Sequence, residues 1–414
     1  MKNYGAASFL APFKVRSYRF QWPADLATSW AFEMETIILG WYVLVQTESV
    51  ILLTIFGSLQ FLGTLIAPML GLVADKVGRR TMLCIMRAFY TAMAAVIMTA
   101  GLTDHLTPYL VFAVAALVGL GRPSDLVMRN SLIGDTMPPG RLMNALGLSR
   151  TTQDSARIAG ALAGAGLFSI LGIGAAYIFV TVFYAASFVL TLGVSNVRPM
   201  PDEDNPAIDS GPARPSFWRE MRVGIAYVWN TPRVLAIMCL AFLVNLTAYP
   251  MSNGLLPYVA KEVYMLDENG LGQLVAGYAS GALLASLLMA WTGGPRRPAR
   301  FMLIYISIWY ALLLVLGQLE SRATGAPTLV LIGLAQGAGM VTMSVTLLST
   351  VTAEYRGRVM GVRALAIYGL PLGLMGSGVL IGWIGYASTI TVYCIVGITF
   401  TALIGLKWRA TIWH

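Results

Sequence analysis

Two carboxylates, Glu33 and Glu35, stand inside the stretch SWAFEMETIILGW, which otherwise reads as a helix made to cross a membrane. A charge at the centre of a bilayer costs roughly 2.5–3.5 kcal/mol on insertion scales, so ionisable groups placed there mark function by default. If the helix begins near Pro23, the pair lies about 15–18 Å along it, close to the midplane. A later start would leave both in water but would draw Gln46, Thr47 and Glu48 into the span. Residues two apart on a helix point about 160° away from each other. One glutamate is therefore expected to face a cavity, and the other a neighbouring helix with a basic partner.

Basic partners are at hand. Asp125 and Arg129 stand four apart in one apolar run, and Arg150, Asp154 and Arg157 share a helix face in the next. Counted outward from the turn MPPG, Arg129 lies level with Arg150 and Asp125 with Asp154, which predicts neutralising pairs across the two helices. Four carboxylates (Glu33, Glu35, Asp125, Asp154) then face three arginines, leaving one negative charge in excess. A proton on a carboxyl held in low dielectric, or a cationic substrate, supplies the missing charge and makes a coupling device. The other reading is a static salt-bridge network that fixes helix packing. The second half carries polar groups of another kind: Asn245, Tyr249, Asn253, Gln273, Tyr278, Gln336 and Tyr368. They offer an aromatic, hydrogen-bonding wall for an amphipathic substrate, or else serve helix packing.

The elements that must hold these residues are apolar helices. The chain of 414 residues is 57% hydrophobic and 11% charged, with mean hydropathy +0.71. Soluble domains carry about 25% charged residues. About 20 apolar residues span a bilayer core, and twelve such runs are legible: 22–46, 50–73, 81–101, 107–136, 142–171, 174–194, 233–260, 271–292, 300–318, 326–350, 359–384 and 386–407. Bends are expected at Tyr249-Pro250, Asn253-Gly254, Pro257 and Pro371. The fold class is thus an all-α polytopic membrane protein of two six-helix bundles, 1–194 and 233–414. A linker at 195–232 joins them, polar and proline-rich at first. Its second part, FWREMRVGIAYVWN, spaces Phe217, Met221, Ile225 and Val228 as an amphipathic surface helix. Lys and Arg crowd the loops on one side, with Lys261 and Arg322 on the other. The positive-inside rule makes the basic side, with both termini, cytoplasmic. The net charge of +9 then reflects topology and contact with membrane lipid, not a nucleic-acid partner.

Between the second and third runs stands GLVADKVGRRTML. Gly71, Asp75, Gly78, Arg79 and Arg80 there resemble the loop signature of the major facilitator superfamily. The resemblance implies two bundles around a central cavity, alternating access, and a cytoplasmic gate built from this loop. It places Asp75 opposite the start of the eleventh helix near Val359 and pairs Arg79 with a carboxylate ending the fourth, for which Asp135 is the candidate. The loop GGPRRPAR in the second half keeps the arginines without the aspartate, and PPGRLMNALG and YRGRVMGVRA echo each other as repeats do. Gly147, Gly160, Ala161, Gly164 and Ala165 resemble the small-residue motif of antiporter members, with alanine in place of its proline and last glycine. Trp41, GRVMGV and PLG resemble the bacterial branch of enterobactin exporters and macrolide efflux proteins.

Other chemistries lack their residues. His105 falls in a loop and His414 ends the chain, Cys84, Cys239 and Cys394 sit within apolar runs, and no metal spacing, phosphate loop or nucleophile–base set is legible, so no cofactor is expected. No cleavable signal is legible in the first 20 residues. The expectation is a monomeric, proton-coupled exporter of a small amphipathic or cationic molecule in a bacterial inner membrane. An exporter of a siderophore or metabolite, a lysolipid flippase, and a non-transporting receptor or scaffold are the alternatives.

Overall fold

In lipid a backbone satisfies its own polar groups within helices, and this chain of apolar runs folds accordingly. The computed structural model describes residues 11–64, 66–195, 217–352 and 355–412, and no strand occurs among them. The outward surface is apolar: Ile170, Trp291 and Trp383 are 80%, 85% and 80% exposed, the reverse of a soluble protein. Eleven of the twelve expected runs fall on helix and the second is interrupted, and nine described segments are long and apolar enough to cross a membrane.

Two compact units form, Met1–Ile38 with Leu65–Pro215, and Leu39–Thr64 with Ser216–His414. They do not divide the chain at the linker alone, because the first helix, α1 (Arg16–Thr47), contributes to both.

The first unit holds most of α1 together with α3 (Ala67–Val77), α4 (Arg79–Leu102), α5 (Pro108–Thr136) and α6 (Pro139–Leu192). α6 covers two predicted runs. It is broken once, at Gly172, whose φ of 77° is a conformation glycine adopts without strain. Small residues set α6 against α1: a Cβ on Gly164 would stand 2.9 Å from Met34 Cα. Tyr18 anchors the start of α1, donating to the Ala145 carbonyl at 3.1 Å within a cluster of Ile133, Met137 and Leu148.

The second unit begins with the end of α1 and α2 (Val50–Leu59), which packs on α14 (Gly369–Ile384). Ser58 Oγ donates to the Pro371 carbonyl at 3.2 Å, and Trp41 Nε1 donates to Glu268 Oε1 at 3.0 Å. The second predicted run is not one helix. It stops at Leu59, makes a tight turn over Leu62–Thr64 and restarts as α3, whose first turn takes Pro68 because that position needs no N–H. α7 (Phe217–Asn230) forms where the amphipathic helix was expected. It packs on α13 (Arg356–Ala366): Gly224 meets the Arg358 carbonyl, Tyr227 stacks on Tyr355 at 4.4 Å, and Ile225 stays exposed. α8 (Pro232–Thr247) runs into wide π-type turns at Pro250–Gly254 and Val259–Val263, around the short α9 (Leu256–Tyr258). The expected bends fall there, and another falls between Ala366 and Gly369, just before Pro371. α10 (Glu268–Thr292), α11 (Pro298–Leu316), α12 (Arg322–Thr350), α15 (Tyr386–Lys407) and α16 (Arg409–Ile412) complete the unit.

Candidate functional site

The charged groups of the first unit sort into three sets, and the deepest includes residues the sequence reading passed over. Asp25 on α1 pairs with Arg87 on α4 through Oδ1 and Nη2. Arg129 on α5 pairs with Asp125 one turn earlier, and its Nε stands 3.8 Å from the same Asp25 oxygen. Arg87 also donates to Thr191 Oγ1 near the end of α6, and Arg129 Nη1 donates to Ser29 Oγ at 2.9 Å. All four charged side chains are buried. The network therefore clamps α1, α4, α5 and α6 at one level. Its charges cancel, two against two, although Asp25 Oδ2 and Asp125 Oδ1 accept no hydrogen bond among the described residues.

Glu35 sits ten residues beyond Asp25, about 15 Å along α1, and is 5% exposed. Tyr184 donates to its Oε2 at 2.6 Å, and Tyr177 and Arg122 stand near. No guanidinium comes within ion-pair distance of Glu35 among the described residues. Arg122 instead donates to Thr36 Oγ1 at 3.0 Å and to the Phe32 carbonyl at 3.2 Å, and lies over the Phe32 ring at 4.5 Å. Phe32, Tyr90 and Tyr184 meet edge to face or tilted around this group.

The third set is the most open. Glu33 faces Arg157 at 3.8 Å, with a quarter of its side chain exposed, and Arg150 meets Asp154 at 3.4 Å on the same helix. Gly160 lets α6 approach here, since a Cβ on it would stand 2.8 Å from Glu33 Cβ.

Several expectations change. The pairs foreseen across α5 and α6 do not form among the described residues: Arg129 bonds Asp125 on its own helix and stands 3.8 Å from Asp25 on α1, while Arg150 turns outward, 70% exposed. The basic partner belongs to Glu33, the more exposed glutamate, and the buried Glu35 has a phenol instead. The excess of one negative charge disappears once Asp25, Arg87 and Arg122 are included, for five carboxylates then face five guanidiniums. Each of the three overlooked residues is a charge inside an apolar run, the signal that flagged Glu33.

At the basic ends of the helices, Gly78 (φ 98°) joins α3 to α4. Arg79 Nη1 donates to Asp135 Oδ1 at 2.6 Å, and Arg80 Nη2 to the Leu192 carbonyl at 2.5 Å. Gly71 and Asp75 lie on α3, and the side chain of Asp75 is outside the described residues.

The polar residues of the second unit do not form one wall. Gln336 Nε2 donates to Tyr249 Oη at 2.7 Å, and Tyr249 meets the buried Trp309 edge to face. Tyr278 is buried on α10. Asn245 donates to the Ala241 carbonyl of its own helix at 2.8 Å, and Tyr368 lies half-buried between α13 and α14. Asn253 and Gln273 are exposed, and Gln273 accepts from Arg322 at the helix ends.

A family model, Major Facilitator Superfamily, matches residues 22–376. The chain belongs to the major facilitator superfamily. It is a multi-pass membrane transporter with a small-molecule substrate rather than an enzyme. Solved structures of low identity share this fold. A bacterial homolog of the human lysosomal transporter Spinster, inward-facing and unoccupied, is 15% identical with a TM-score of 0.73, over 96% of this chain and 98% of its own. The POT family transporter PepTSo is 12% identical with a TM-score of 0.74, over 95% and 98%. The human organic anion transporter MFSD10 (TETRAN) is 14% identical with a TM-score of 0.62, over 94% and 99%. No curated protein matches the sequence.

Proposed function

We propose that this major facilitator is a secondary active transporter that couples proton movement to export of a small amphipathic or cationic molecule by alternating access. The observation that carries the coupling is Glu35: a buried carboxylate held by the Tyr184 hydroxyl, with Arg122 near but no cation in ion-pair contact among the described residues. Protonating such a group breaks no salt bridge, so its charge can change while the clamp of Asp25, Arg87, Asp125 and Arg129 keeps the helices in place. Glu33 and Arg157, half-open, form the exchangeable pair, with Arg150 and Asp154 beside it. Tyr249 and Gln336, bonded on the second unit, are the first choice for substrate contact.

Export and a bacterial inner-membrane setting, with cytoplasmic termini, rest on the basic loops and on the resemblance of Trp41, GRVMGV and PLG to efflux proteins. Gly71, Asp75, Gly78, Arg79, Arg80 and Asp135 serve in this reading as the gate at the basic side. The test is transport by the purified protein in liposomes. An imposed proton gradient should drive substrate movement that counterflow at zero gradient shows to be carrier-mediated. Identical rates with and without the gradient overturn the coupling.

A further inference from the structure

The apolar face that the sequence pattern gives α7 is largely taken up by protein. A Cβ on Gly224 would stand 3.0 Å from the Arg358 carbonyl and 3.2 Å from Val362, and Val228 is 5% exposed. Tyr355, at the start of α13, meets the Tyr227 ring at 4.4 Å and the Arg358 guanidinium at 5.3 Å. α7 is thus fastened to α13 by one side.

A second side stays uncovered. Arg219, Arg222, Ile225, Ala226 and Trp229 are all exposed, Trp229 by 72%. At about 100° per residue these five fall within an arc of about 120°, turned away from Gly224 and Val228. By the same register no acidic residue of α7 falls on that arc.

Two neighbours fix the level at which this side lies. Thr231 alone separates α7 from Pro232, where a segment long and apolar enough to cross a membrane begins. A second such segment runs from Arg358 to Ile384, and Gly224 meets its first turns at Arg358 and Val362. α7 is therefore held where two crossings enter the bilayer. Tryptophan is enriched at that boundary, and arginine there meets lipid phosphate. In water the open indole and isoleucine would keep apolar surface hydrated, and among acyl chains the two arginines would be costly. The headgroup layer suits both.

We propose that this side of α7 docks on the membrane surface and gathers anionic phospholipid there. Arg219 and Arg222 take the phosphates, and Ile225 and Trp229 sink between the headgroups. A zwitterionic surface satisfies the apolar pair alone. Two arginines with no acid beside them select an anionic one.

The test uses the full-length protein with Cys84, Cys239 and Cys394 replaced by serine and a fluorophore on Ala226→Cys. It is reconstituted in phosphatidylcholine vesicles holding the same small share of nitroxide-labelled phosphatidylglycerol or nitroxide-labelled phosphatidylcholine. The phosphatidylglycerol nitroxide should quench the fluorophore more strongly. Arg219→Gln and Arg222→Gln should each reduce that preference about five-fold, the worth of one basic residue at an anionic surface. Trp229→Ala should weaken quenching by both lipids. All three side chains are exposed, and unchanged thermal unfolding identifies the variants as folded. Quenching by aqueous iodide with none by either lipid, equal quenching by the two lipids, or a preference that survives the double arginine variant overturns the proposal.

Discussion

Burial and pairing separate the intramembrane acids by what each can do. Asp25 and Asp125 lie within a closed set of ion pairs, and removing one partner of such a pair leaves an uncompensated buried charge at a cost of roughly 3–5 kcal/mol. Arg87→Met should therefore lower thermal stability in detergent far more than Arg150→Gln, whose guanidinium is 70% exposed. Comparable melting of the two variants would refute a structural clamp. Glu35 is the opposite case. Glu35→Gln keeps an oxygen for the Tyr184 hydroxyl but removes the titratable group, so gradient-driven uptake should fall at least ten-fold while counterflow persists. Glu33→Gln breaks a half-open contact at 3.8 Å and should change rates less. Loss of counterflow in Glu35→Gln would make this residue a substrate or folding group instead. The presence of glutamates in the membrane was legible in the sequence, and so was the opposition of their side chains. Their partners were not, because pairing depends on which helices adjoin α1. Arg87, 62 positions from Asp25, gives no sign of that in its spacing.

Helices were the most legible level, since apolar length and proline or glycine punctuation are local signals. The departures have local causes too: Pro68 restarts the second run, and π-type turns bend the seventh around Pro250 and Pro257. What sequence periodicity could not give is which small residues bear on a neighbour. In the second unit a Cβ on Gly333 would strike the Tyr278 carbonyl and one on Gly281 the Val330 carbonyl, so α10 and α12 touch backbone to backbone. Gly382, also helical, has nothing within 4 Å of that position. Gly333→Ala should force the helices apart and reduce the melting temperature by several degrees, with Gly382→Ala unchanged or slightly stabilised by better helix propensity. Differential scanning fluorimetry of the purified variants decides it. Two equally benign alanines would mean that the two helices can part at no cost.

The arrangement of the chain across the membrane rests on where its basic residues fall, and one helix can decide it. α11 covers 19 residues, about 28 Å at 1.5 Å per residue. That is close to the ~30 Å hydrocarbon thickness, so its two ends must open on opposite sides. Before it stand Arg296 and Arg297, and after it Gln318 and Glu320. The positive-inside rule, which keeps arginine on the cytoplasmic side, predicts Glu320 outside and Thr292 inside. With Cys84, Cys239 and Cys394 replaced by serine, Glu320→Cys in intact cells should react with a membrane-impermeant maleimide, and Thr292→Cys should react only after the cells are opened. Both positions are exposed, so protection can be read as sidedness rather than burial. The reverse labelling pattern would invert the chain and with it the direction of transport proposed here. Labelling of both positions from outside would contradict α11 as a membrane crossing.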